Sequence, residues 1–252
     1  MPVSVVLLAA GYGTRLYPLT KNKAKAMLPL GQGIILDGVV RTLAEIPDLG
    51  RQVLVTNSQF AADFRRWQRE RGAPVEIVDD GTTSPETRLG AIRDLDLARA
   101  QLPAGDDLLV IGTDNLFEWS LGDFTAAARR HRPHASNGLW RAPSKDAATQ
   151  FGVVIRDAGD RITAFAEKSP APPSADVSLA VYYFPSAMHG RIGQFLAGGG
   201  NADAPGYFVK WLAEQEPVYG IMMPGAWYDI GSLEAYQDVQ RDWSKVSGER
   251  RR

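Results

Sequence analysis

Hydrophobic and polar positions alternate along the first half of the chain in a way that suits a parallel sheet covered by helices. Val3–Ala9, Gln52–Thr56, Val75–Val78 and Asp107–Ile111 are short runs rich in β-branched residues or leucine, and are predicted as strands. Between them, Ile34–Glu45, Phe60–Arg71 and Glu86–Ala100 carry helical periodicity. Ser84 and Pro85 mark the start of the last of these, as a cap and a first helical residue. Phe124–His131 is predicted as a further helix, followed by a strand near Gly138–Arg141.

The second half is less regular. Gly152–Arg156, Arg161–Glu167 and Ser178–Phe184 read as strands, the first two joined by a turn at Asp157–Asp160. Pro170–Asp176 and Gly198–Gly206 read as loops from their Pro, Gly, Ala and Asp content. Tyr207–Glu214 is predicted helical, Val218–Met222 a strand and Leu233–Trp243 a closing helix. The Arg-rich end, Glu249 to Arg252, reads as a solvated tail.

Composition narrows the class without naming it. The formal net charge of −1 gives no sign of a nucleic-acid or anionic-membrane partner. Cysteine is absent, which excludes disulfides, thiolate catalysis and thiolate zinc sites. The opening apolar run is too short for a signal core or a membrane span, and a cytoplasmic protein is expected. His131, His134 and His189 are too scattered for a metal site and read as structural; His131 sits at a predicted helix end, where a cation would favour the dipole.

Chemistry enters at Ala9–Leu16, where the first strand runs into a glycine-rich turn. Such a turn brings several backbone N–H groups against a phosphate. Two familiar phosphate motifs fail here. A dinucleotide fingerprint needs a third glycine where this chain has Leu16, and a Walker loop needs Gly-Lys-Ser/Thr where it has Gly-Thr-Arg. Arg15 follows the loop instead, and Lys25 lies ten positions on. A forked guanidinium and a compact ammonium together suit a triphosphate.

The run L-A-A-G-Y-G-T-R-L-Y-P-L-T, followed by Lys25 and M-L-P-L, resembles the signature of the sugar-phosphate nucleotidylyltransferases. Further matches follow in order: V-I-G-T-D-N-L-F around Asp114, F-G-V-V at 151–154, F-A-E-K-S-P at 165–170, V-Y-Y-F-P at 181–185 and W-Y-D-I-G-S at 227–232. The resemblance implies an α/β fold: a Rossmann-like, mainly parallel central sheet flanked by helices, with a less regular sugar-binding second half. It implies one nucleotidyltransferase domain over 1–252, with a nucleotide-binding half at 1–142, an acceptor-binding half at 143–244 and a flexible tail at 245–252. No left-handed β-helix domain is expected.

The same resemblance assigns roles. A sugar 1-phosphate would attack the α-phosphorus of a nucleoside triphosphate in line, releasing pyrophosphate. Arg15 would hold the β,γ-phosphates, and Lys25 would neutralise charge at the α-phosphate. Leu8, Ala9, Ala10, Gly11, Gly13, Thr14 and Thr113 would lie along the nucleotide, with Asp80 and Gly81 towards the base. Asp114 and Asp229 match the family's magnesium carboxylates, so Mg2+ is the expected cofactor. Lys168 would meet the acceptor phosphate and Glu167 the sugar hydroxyls, while Gly152 would let the backbone approach. The expected partners are a nucleoside triphosphate and a phosphorylated acceptor, with self-association a family habit.

Plainer readings stand beside these. Asp114 is also a carboxylate at a strand end, Asp229 a cap for the helix near Ser232, and Gly152 a relief of crowding in a strand. Arg88 either touches substrate or pairs with a neighbour. Several positions depart from the family pattern: Ala24 and Ala26 flank Lys25 where proline is usual, Thr113 and Ala180 stand where glycine is common. Proline would stiffen the lysine loop; Thr113 would narrow the pocket or add a hydroxyl; Ala180 would reshape the acceptor side. Two other functions fit part of the pattern: a cytidylyltransferase for a phosphorylated alcohol, cyclitol or phosphonate, and a non-catalytic nucleotide-sugar sensor.

Overall fold

A computed structural model describes residues 1–246; the Arg-rich end lies outside the described residues. In chain order the elements are β1 (Val3–Leu8), β2 (Pro29–Leu30), β3 (Gly33–Ile34), α1 (Ile35–Leu43), β4 (Leu49–Thr56), α2 (Ala61–Arg71) and β5 (Val75–Asp79). There follow α3 (Ala91–Arg99), β6 (Asp107–Gly112), β7 (Asn115–Phe117), α4 (Leu121–Arg129), β8 (Ala135–Arg141), β9 (Gly152–Arg156), β10 (Ile162–Glu167) and β11 (Asp176–Phe184). The chain then forms α5 (His189–Ala197), α6 (Pro205–Gln215), β12 (Val218–Met222), β13 (Trp227–Asp229) and α7 (Leu233–Val246).

The main sheet runs β10-β9-β11-β6-β1-β4-β5, with β8 beside β11 and β12 beside β8. Strands β6, β1, β4 and β5 are parallel, whereas β11 runs antiparallel to β6 and to β8. This is the mixed, mostly parallel sheet with flanking helices that the sequence predicts. Strand β1 is apolar but for Ser4 because both its faces are covered. Val3, Val5 and Leu7 join one core with Leu36, Phe64 and Phe124, from α1, α2 and α4. Val6 joins the other with Ile92, Ile192 and Phe208, from α3, α5 and α6. The chain leaves β1 for β4 and β5 on one side and returns to β6 on the other, and such a reversal opens a crevice at the carboxyl ends of the strands.

The single helix predicted over Glu86–Ala100 is two pieces. Ser84 and Pro85 do start a turn, but it ends at Thr87, and α3 begins at Ala91. Gly90 lies between them at φ +91°, a conformation that breaks a helix and that side chains rarely adopt. Helix α4 starts at Leu121, ahead of the predicted Phe124, because the Ser120 hydroxyl accepts from the amides of Gly122 and Asp123. Helix α5 had no counterpart among the predicted elements, since two glycines dilute its apolar stripe. The predicted loop at 198–206 gives way at Pro205 to α6, with proline in its first turn.

His131 is structural, as expected, but not as a cation at the helix end. Burial and the neighbouring Arg130 hold its imidazole below the ordinary value, so it favours the neutral form. It stacks on Tyr219 with ring centroids 4.1 Å apart instead of serving as a cation at the helix end. No helix among the described residues is long and apolar enough to cross a membrane.

Candidate active site

The glycine-rich turn is fixed from three sides. Gly13 takes φ +62°, and its carbonyl accepts from the Thr20 hydroxyl at 2.7 Å. Asn57 Nδ2 donates to the Ala10 carbonyl at 2.9 Å, which turns Ala10 into an anchor beneath the loop. Tyr12 is buried, with its hydroxyl 3.0 Å from Thr82 Oγ1. Arg15 then emerges on a short 3-10 turn, Thr14–Leu16. Thr113 closes the opposite wall: its hydroxyl donates to the Leu8 carbonyl at 2.8 Å, which ties the end of β6 to the end of β1. Of the two consequences expected of a threonine there, the hydroxyl has this definite use.

Lys25 sits on a second 3-10 turn, Lys25–Met27, whose Met27 amide donates to the Ala24 carbonyl at 2.9 Å. Ala24 and Ala26 are buried in the core on either side. Core packing therefore holds the segment that proline would otherwise stiffen. Lys25 Nζ reaches Asp114 Oδ2 at 2.5 Å, and Asn115 Nδ2 donates to Asp114 Oδ1 at 2.9 Å. Burial works against the charge on Asp114, but the Lys25 ammonium and these hydrogen bonds together hold its carboxyl below the usual range.

Asp229 reaches the same place by a long-range pairing. The short strands β7 and β13 form an antiparallel ribbon in which Asp229 stands opposite Asn115. The Ile230 amide donates to the Asp114 carbonyl at 3.1 Å, and Trp227 Nε1 donates to Asn115 Oδ1 at 2.8 Å. Burial first, and then the Asp114 charge, push the Asp229 carboxyl up to about 6; Lys25, Arg15 and Lys168 pull the other way. The two aspartates are thus near enough to repel, and three cations converge on them.

Two cavities open at this point. One, of about 450 Å³, is lined by Leu8, Ala9, Gly11, Gly13, Thr14 and Thr113, with Arg15, Lys25 and Asp114 at one end. The other, of about 470 Å³, contains Gly152, Glu167, Lys168 and Asp229, and again Arg15 and Asp114. Arg15 and Asp114 are shared by both. Thirteen of the sixteen residues singled out from the sequence line one cavity or the other. Ala10 does not, and neither do Asp80 and Gly81. The Asp80 carboxylate turns inward, accepting from the amide and hydroxyl of Thr82 at 2.7 and 2.8 Å.

Glu167 and Gly152 stand opposite each other on the ladder between β10 and β9. A Cβ on Gly152 would lie 2.9 Å from Glu167 Oε2 and 2.7 Å from the Phe165 ring, so this glycine does relieve crowding, and does so at the cavity wall. Burial raises the Glu167 carboxyl above its ordinary value, against the opposing charge of Lys168. Lys168 turns at φ +47°, its amide donating to the Phe151 carbonyl at 3.1 Å and its Nζ 3.9 Å from Glu167 Oε1. Ala180 lines this cavity, as do Ser178, Tyr182, Trp227 and Ala204–Gly206, which the sequence reading did not single out. Tyr182 and Trp227 lie within quoted motifs; nothing in the composition of 198–206 marked Ala204–Gly206 as a wall.

Residues 4–246 match the nucleotidyl transferase family. The UTP–glucose-1-phosphate uridylyltransferase AglF of Haloferax volcanii is 30% identical over 193 residues, covering 74% of this chain and 73% of its own length. The catalytic subunit beta of mannose-1-phosphate guanylyltransferase from Drosophila pseudoobscura pseudoobscura is 28% identical over 232 residues, 90% of this chain and 58% of its own. This chain spans about three fifths of the length of several such curated relatives. A crystal structure of UDP-glucose pyrophosphorylase complexed with UDP-glucose superimposes with a TM-score of 0.79 at 17% identity, covering 97% of this chain and 99% of that one, and so shares the fold. With a family match that runs from β1 to the end of α7, the chain belongs to the nucleotidyl transferases.

Proposed function

We propose that this protein joins a nucleoside triphosphate to a sugar 1-phosphate, giving a nucleoside diphosphate sugar and pyrophosphate. The observation that carries the reading is the pair of cavities that share Arg15 and Asp114, with Lys25 on one side and Lys168 on the other. Both curated relatives described above are named for transfer to a sugar 1-phosphate. The triphosphate takes the cavity walled by the glycine-rich turn, and the acceptor takes the one walled by Glu167 and Lys168.

An oxygen of the acceptor phosphate attacks the α-phosphorus, and the bond from that phosphorus to the β-bridging oxygen breaks in line. Pyrophosphate leaves with the electron pair of that bond. Such a reaction asks a protein mainly to position reactants and to neutralise charge. Lys25 compensates charge at the α-phosphate, Arg15 grips the departing phosphates in its fork, and Lys168 draws the acceptor phosphate in. Glu167 accepts from sugar hydroxyls at the far wall.

The donor set fits magnesium. Asp114 and Asp229 repel one another across the junction of the cavities, and a divalent cation between them would relieve that repulsion. No group of three or more His, Cys, Asp or Glu side chains among the described residues could hold a metal. Magnesium needs few protein carboxylates when phosphate oxygens and water complete its shell. Bound there, it would supply Lewis-acid stabilisation of charge on the phosphates.

The test is a matrix of the common nucleoside triphosphates against sugar 1-phosphates, phosphocholine and a phosphonate, read by pyrophosphate release with and without Mg2+. Turnover is expected with at least one sugar 1-phosphate and to require the metal. Turnover with phosphocholine or the phosphonate alone would move the protein to the cytidylyltransferase alternative. No turnover with any pair, but tight binding of a nucleotide sugar, would make it a sensor.

A further inference from the structure

The stretch Asn201–Gly206 borders both cavities. Asp203 lines the one assigned to the nucleotide, and the next three residues, Ala204, Pro205 and Gly206, line the one assigned to the acceptor. This strap is fastened to the loop before α3 and to the first turn of α3 in three ways. The Ile92 amide donates to the Ala202 carbonyl at 3.0 Å. Gly90 lies so close that a Cβ on it would sit 2.6 Å from the Ala202 carbonyl oxygen, a backbone-on-backbone contact only glycine permits. Arg88 Nε donates to Asp203 Oδ1 at 3.0 Å, and the Asp203 amide in turn donates to Asn201 Oδ1 at 2.9 Å.

The strap's other end bears on the acceptor wall. A Cβ on Gly206 would lie 2.4 Å from Glu167 Oε2 and 2.8 Å from the Phe165 ring, so the first turn of α6 is packed directly against the Glu167 carboxylate. Two residues, Ala204 and Pro205, separate that contact from Asp203. A carboxylate facing a triphosphate cavity is electrostatically out of place unless something neutralises it. Arg88, which lines the same cavity, does so. Both side chains are more than half exposed, at 56% and 55%, so their ion pair contributes little to folding.

We infer that Arg88 and Asp203 are positioning residues: with the nucleotide bound, their ion pair keeps the strap, and through Gly206 the Glu167 wall, in place for the acceptor. The inference rests on the assignment of the two cavities made above. When the triphosphate arrives, Asp203 stays put only if Arg88 holds it. Without Arg88 the phosphates repel Asp203, and Ala204–Gly206 move with it. The defect therefore falls on acceptor affinity and appears only when nucleotide is present. Coupling of this kind is reciprocal, so without Arg88 the acceptor weakens nucleotide binding by the same factor.

The experiment uses the full chain as wild type, Arg88→Gln, and the charge-exchanged double variant Arg88→Asp with Asp203→Arg. The sugar 1-phosphate and triphosphate are the best pair found in the substrate matrix. Acceptor KM, nucleotide KM and kcat are measured, together with calorimetric binding of the sugar 1-phosphate with and without a non-hydrolysable triphosphate. Arg88→Gln is expected to raise acceptor KM about fivefold or more at saturating nucleotide, a typical size for coupled sites, and to leave acceptor binding without nucleotide unchanged. The double variant recovers most of that loss. An unchanged acceptor KM, a change confined to nucleotide KM, or no recovery in the double variant overturns the inference while the functional reading stands. A wild-type protein that turns over no sugar 1-phosphate overturns both.

Discussion

Lys25 and Asp114, 89 positions apart, meet at 2.5 Å where the turn after β1 faces the end of β6. Each compensates the other's charge in a partly buried place. In the proposed reaction Lys25 meets the α-phosphate and Asp114 the metal, so on that proposal the pair would hold both groups ready before either ligand arrives. Asp114→Asn is expected to lower kcat about 100-fold or more, the usual cost of losing one pre-positioned charge. The double variant Lys25→Gln with Asp114→Asn should be little worse than Asp114→Asn alone, because residues acting as a unit are not additive. Steady-state kinetics on the four proteins measures this, and simple multiplication of the two single losses would show that they act separately.

Asp229 is held at a cost. Its carboxyl, pushed up to about 6 by burial and by Asp114, is ionised near pH 8 against both influences. Asp229→Asn removes that charge while keeping the shape. The expected outcome is lost Mg2+-dependent turnover together with an unchanged or higher melting temperature, a trade of stability against activity. Thermal unfolding and pyrophosphate release on the same preparation decide it. A clear fall in melting temperature would mark Asp229 as a structural cap of the kind the sequence also allowed.

What could be read from the sequence and what could not differ by the range of the interaction involved. Local signals served well: the apolar run of β1, the turn at Gly13 and the turn begun by Ser84 and Pro85 each act within a few residues, although the equally local cap at Ser120 was missed. The long helix expected from Glu86 failed because Gly90 answers to Ala202, more than a hundred positions away. Likewise Asp114 and Asp229 were picked out by their motifs, but the β7–β13 ribbon that joins them is too short to leave a periodic signal. Asp80 is placed towards the base by the family resemblance alone; in this structure its carboxylate accepts from the amide and hydroxyl of Thr82, and it does not line the cavity. Loop composition does not encode where a side chain points.

The glycines on either side of Glu167 give a test of the acceptor wall. Gly206→Ala puts a methyl group where the carboxylate now lies, with the Phe165 ring also in the way. The carboxylate must shift, and hydroxyls that it would accept from are left unpaired. Acceptor KM is expected to rise about tenfold, the equivalent of one hydrogen bond to a charged group, with nucleotide KM unchanged. Equal changes in both constants would separate Glu167 from the acceptor.

Asp94 gives a prediction for stability against pH. It is buried on α3, and burial first, then the charge of Asp80 and their hydrogen bond, raise its carboxyl from about 3.8 to about 7. The folded protein therefore keeps a proton at Asp94 that the unfolded chain has released between these two values. Stability falls as pH rises through that window, and the full penalty is present above pH 7. Asp94→Asn replaces the protonated acid with a neutral amide that can donate to Asp80 in its place. At pH 8 the variant is expected to be more stable than the wild type by about 2 kcal/mol, roughly half of what the whole shift would give. The gain should shrink steadily as pH falls from 7 towards 4, because Asp94 of the unfolded chain begins to take up the proton that the folded chain already holds. Denaturant unfolding of both proteins across this range measures it, and a gain that did not depend on pH would mean that Asp94 is ionised in the folded protein throughout.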